Sequence, residues 1–112
     1  MRSRKLESIL KHHVARVRFI RKQDKRLNKY TTLTRPMLCT KSKFVLNNFP
    51  ELGYTSSGTD IYKPRTDYYY NPNSHENVVV WDIGMKDVRQ IWSRTCVIEE
   101  LIHERDFNGL TL

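Results

Sequence analysis

Few residues in this chain could do chemistry, and spacing is the first test of each. Glu100-Leu101-Ile102-His103 has the Glu-x-x-His spacing that, on a helix, sets a carboxylate and an imidazole on one face. Bundle metal sites built on that pair draw further carboxylates from three other helices, and this chain does not supply them. His12 and His13 are adjacent, so their rings diverge and share a metal poorly. His13 falls in an apolar arc and reads as a packed or backbone-bonded ring. Ser56, Ser57 and Thr59 flank Gly58 with no identifiable base beside them. Cys39 reads as a structural thiol, its pKa lowered modestly by the nearby Lys41 and Lys43. Two cysteines are too few for a disulfide framework or a thiolate zinc site, and they fit a reducing compartment. With glycine at four positions, phosphate-cradling loops are not expected either. The expectation is no catalytic residue, no metal and no cofactor, hence a chain that is not an enzyme.

The stronger signal is charge. Residues 1-30 hold eleven basic side chains against Glu7 and Asp24, a local net of +9, whereas the remaining 82 residues hold nine basic and ten acidic. A cationic arm on a near-neutral body is the pattern expected when the arm lies on a polyanion and the body packs on protein. Lys and Arg neutralise phosphates and release counterions, which gives affinity without base readout. The candidate RNA contacts are Arg2, Arg4, Lys11, Arg16, Arg18, Arg21, Lys22, Lys25, Arg26 and Lys29, with Arg65 further along. Tyr62, Tyr68, Tyr69, Tyr70, Trp81 and Trp92 are the candidates for packing on neighbouring subunits. The tyrosines between Tyr62 and Tyr70, with Lys63 and Arg65 among them, could equally stack on unpaired bases.

These side chains need elements to position them. Leu6, Ile9, Leu10, Val14, Val17, Ile20 and Leu27 gather on one arc at ~100° per residue, which predicts a helix from about Arg4 to about Lys29 with Ser3 as its N-cap. Basic residues in its first turn oppose the helix dipole, a cost that a nearby phosphate would relieve. Thr31, Thr32, Thr34 and Pro36 end the helical pattern. A short strand or turn of helix follows at Lys43 to Leu46, then a turn from Asn48 to Gly53. Tyr54 to Asn77 reads as an irregular, tyrosine-rich extended strip. Val78-Val79-Val80-Trp81 is a β-prone run, Asp82-Ile83-Gly84 a turn, and Met85 to Arg105 a helix closed by Asn108-Gly109. The expected fold is mostly α with irregular extended segments: a long basic N-terminal helix, an extended Tyr-rich strip, a short strand and a C-terminal helix. The expected organisation is an arm at 1-30, a linker and tie at 31-77 and a small strand-helix body at 78-112.

The longest apolar run, Val78 to Trp81, falls far short of the ~18 residues of a membrane span, so no transmembrane segment is expected. Residues 1-22 also satisfy the description of a mitochondrial presequence, here as a retained import signal. No RNP1-like string, GXXG loop or Cys/His finger is present, so binding by shape and charge is expected within a fixed site. The reading is a non-enzymatic structural subunit of a large ribonucleoprotein, a ribosome and plausibly a mitochondrial one on the matrix side, with rRNA and neighbouring subunits as partners and no small-molecule substrate. The alternative is an accessory peripheral subunit of a mitochondrial respiratory membrane complex, its cationic helix resting on anionic lipid or acidic subunits.

Overall fold

Where the N-terminal helix stops decides the architecture. The structure, a computed structural model, describes residues 2–19, 36–55, 61 and 77–109. Helix α1 covers only Ser3–Leu10, with Arg2 at the N-cap and no side-chain cap. Its last carbonyls are taken from outside the helix. The His13 ring donates through Nδ1 to Ile9 O at 2.8 Å, and the Lys41 backbone N–H donates to Leu10 O at 2.9 Å. With those acceptors satisfied, the chain turns at Lys11-His12 and enters strand β1, His13–Arg18. Strand β2 is Met37–Thr40 and helix α2 is Lys43–Asn48, capped by Ser42, whose hydroxyl accepts from Val45 N–H at 3.2 Å. A 3-10 turn at Pro50–Leu52 follows, closed by Gly53 in the left-handed region (φ 80°). Then come β3 (Asn77–Asp82), β4 (Asp87–Trp92), a 3-10 turn (Ser93–Thr95) and β5 (Val97–His103).

The expected mostly-α fold is therefore overturned. The described residues form a five-stranded antiparallel sheet in the order β4-β3-β2-β1-β5, with two short helices. The expected helix over 4-29 gives way to strand at His13, and the expected helix over 85-105 is β4, a 3-10 turn and β5. The physical reason is the same in both places. Val14 and Val17, then Val88, Ile91 and Ile102, are β-branched residues whose spacing also fits a helical stripe, and their long-range partners settle the choice. The β-prone run Val78 to Trp81 does lie in β3, and the turn expected after Asp82 joins β3 to β4.

The sheet cannot be flat. β4 ends at Trp92, paired with Asn77, whereas β5 begins at Val97, paired with Arg18, on the opposite edge and at the opposite end of the strands. The link from Trp92 to Val97 reaches at most ~17 Å when extended. Four strand spacings plus a strand length would demand ~27 Å across a flat sheet. The sheet is coiled accordingly, and a bulge at Glu99, where the register steps from Arg16↔Glu100 to Val17↔Ile98, helps β5 bend. The two faces carry separate cores. One joins Ala15, Val17, Met37, Cys39, Val78, Val80 and Ile91 to Leu6 and Leu10 of α1. The other joins Val14, Trp81, Ile83 and Val88 to Val45, Leu46, Leu52 and Phe107. Residues alternate between the cores along β2 and β3, so both faces are apolar and no polar alternation marks those strands.

Candidate nucleic-acid interface

The best-defined cationic surface is assembled where α1 hands over to β1. Leu10 O is held by Lys41 N–H, Thr40 Oγ1 donates to His13 O at 2.8 Å, and Glu104 N–H donates to His12 O at 2.8 Å. These bonds fix the Lys11-His12 turn between the end of β2 and the end of β5. Glu104 then joins the turn to α2. Its Oε2 accepts from Ser42 Oγ at 2.6 Å, and its Oε1 lies 3.5 Å from His12 Nδ1. The Ser42 hydroxyl, and secondarily His12, hold the Glu104 carboxyl below its ordinary range against the opposing effect of burial. An open depression results, lined by Lys11, His12, Lys43, Phe44 and Glu104.

The sequence candidates distribute unevenly over this structure. Arg2, Arg4 and Lys11 are exposed, as is Lys5, and none of the four pairs with an acidic group among the described residues. Arg16 and Arg18 are answered from within the chain: Arg16 Nη1 lies 2.9 Å from Glu100 Oε2, and Arg18 Nε donates to Glu99 Oε1 at 3.0 Å. An external phosphate at Arg16 or Arg18 would have to displace a carboxylate. Arg21, Lys22, Lys25, Arg26, Lys29 and Arg65 lie outside the described residues, as do Tyr62, Tyr68, Tyr69 and Tyr70. Trp81 is 4% exposed; its indole N–H donates to Leu52 O at 2.9 Å and its ring meets Tyr54 edge to face. Trp92 is half-buried against the first core.

Other candidates resolve into structure. Glu100 and His103 stand three apart on a strand, which puts them on opposite faces, and His103 instead meets the His13 ring edge to face at 5.1 Å. Among the described residues no group of three or more His, Cys, Asp or Glu could hold a metal. Lys41, which the sequence associates with Cys39, is buried; its ammonium lies 3.3 Å from Glu7 Oε1 and donates to Ile61 O. Burial raises the Cys39 thiol well above its ordinary value, reinforced by Cys96 and Asp82, and pushes Cys96 up to about 11. The expected lowering at Cys39 is thus reversed.

Lys43 and Phe44 escaped the sequence reading as site residues. Ser42 before an apolar pair was a usable cap signal, but nothing local showed that Lys11 would stand beside them. Among the described residues no helix is long and apolar enough to cross a membrane. No protein-family model, curated protein or solved structure matches the chain.

Proposed function

We propose that this chain is a non-enzymatic, RNA-binding structural subunit of a ribonucleoprotein assembly, with a mitochondrial ribosome as its setting. The observation that carries the reading is the fate of the basic N-terminal residues. Glu99 and Glu100 neutralise Arg18 and Arg16, and Glu7 is taken by the buried Lys41. Arg2, Arg4, Lys5 and Lys11 are left exposed on α1 and the turn after it, with no described carboxylate to match them. Segregated cations of this kind attract a polyanion, and phosphate contacts of this type position a protein without reading sequence. The long basic helix once expected to lie on rRNA has no part in this proposal. The contact surface is instead α1, its following turn and α2.

The test is RNA binding by the full chain as a function of salt. Log affinity should fall linearly with log salt concentration, with a slope of about −0.7 per phosphate neutralised on single-stranded RNA. The variant R4Q/K5Q/K11Q should weaken binding and flatten that slope. R16Q/R18Q should change it less, because those guanidinium groups already have partners. Equal affinity for wild type and R4Q/K5Q/K11Q would overturn the reading. Co-purification with a detergent-solubilised membrane complex, in place of nuclease-sensitive sedimentation with ribosomal particles, would replace it with the respiratory-complex alternative.

A further inference from the structure

We propose that the depression bounded by Lys11, His12, Lys43 and Phe44 takes one unpaired RNA base, stacked on the Phe44 ring, with the adjoining phosphate on Lys11. This rests on the RNA-binding reading and narrows it to single-stranded RNA.

Phe44 is 46% exposed although it stands in a helix whose Val45 and Leu46 are buried. The exposure follows from how α2 is pinned. Ser42 caps the helix and donates to Glu104 at its start, and Asn48 Nδ2 donates to Phe44 O at 2.7 Å near its end. With Val45 and Leu46 turned into the core, Phe44 and Lys43 must face outward. A large aromatic left half in water forfeits burial that a core position would have provided. Its surroundings supply what a nucleotide needs. Lys11 arrives from the turn after α1, Lys43 from the first turn of α2, and His12 lies between α1 and β1 with its side chain 66% exposed.

Among the described residues lining the depression Glu104 is the one anionic group, and it is turned inward. Its side chain is 15% exposed and both oxygens face partners, Ser42 and His12. The rim therefore presents the Lys11 cation and a π-face. A ring flanked by lysines is the arrangement that holds single strands with little sequence preference, because every base has a face to stack. Bases inside an A-form duplex offer no such face, so Phe44 discriminates single strand from duplex.

The experiment uses the full chain with a labelled oligouridylate of about a dozen nucleotides, matched to known single-strand site sizes, and a duplex RNA of equal length. F44A should weaken oligouridylate binding roughly five- to 150-fold, the loss of one base stack, with an unchanged salt slope. F44W should restore binding, and its indole emission should be quenched as the strand is added. K11Q should lower the salt slope by about 0.7, the loss of one phosphate contact. Melting curves of each variant confirm that the fold is retained. If wild type binds oligouridylate and F44A binds it equally well, the stacking site is wrong while RNA binding stands. If wild type binds neither RNA, the parent reading is wrong as well.

Discussion

Glu104 is the residue on which three elements converge, and its protonation is a stability statement. The Ser42 hydroxyl and then His12 hold its folded-state pKa below the unfolded value. A depressed carboxyl stabilises the fold above the unfolded pKa, and that contribution is lost as pH falls through the folded one. E104Q should therefore flatten the acid limb of a Tm–pH profile below about pH 5, where wild type progressively loses the contribution of the charge. S42A removes the cap and the carboxylate's donor together; it should cost about 1 kcal/mol near neutral pH, read by urea denaturation. The cysteines answer a different question. Cys39 and Cys96 are both buried and free, with thiols raised by burial. At pH 8 neither should react with a maleimide in the native protein, and both should react in denaturant. Fast labelling of the folded chain would show that the first core opens on that timescale. At this scale the sequence was partly legible. His13 as a backbone-bonded ring and Cys39 as a structural thiol could be read from their neighbours. The sign of the Cys39 shift could not, because it is set first by burial in a core that long-range strand pairing creates, and then by Cys96 and Asp82.

At the level of elements, the sequence placed the turns and misjudged the periodicity. Val78 to Trp81 showed itself as a strand because four consecutive β-prone residues fit nothing else so short, and Pro50 with Gly53 punctuated the chain where the 3-10 turn lies. β1 and β5 were illegible because each is a strand only beside the other: Val14 pairs with Ile102 and Ala15 with Leu101, across most of the chain. Local spacing cannot register a partner so far away. Three outcomes follow. A peptide of residues 1-30 should give the circular dichroism of a coil in dilute buffer, since α1 is eight residues long and isolated helices of that length are marginal. A continuous helical spectrum would show that the strand at His13–Arg18 is imposed by its pairing with β5. Within the protein, Leu10→Ala should cost about 2–5 kcal/mol in chemical denaturation, because that side chain is fully buried between α1 and the sheet. A double-mutant cycle on Arg18 and Glu99 should return a coupling below about 1 kcal/mol, the range of ion pairs that remain in water.

The whole molecule is organised by the coiling of its sheet. Because β1 lies between β2 and β5, the N-terminal and C-terminal segments close on one another, and no core is complete until both are present. Non-local pairing of this kind folds on the millisecond-to-second scale, slower than the helical arm and strand-helix body first expected. The direction of the strands has a further consequence. Arg18 and Met37 stand at one pole of the sheet and Asn77 and Trp92 at the other, a strand length of about 20 Å away. A molecule in contact with both of these poles at once has to be at least that long.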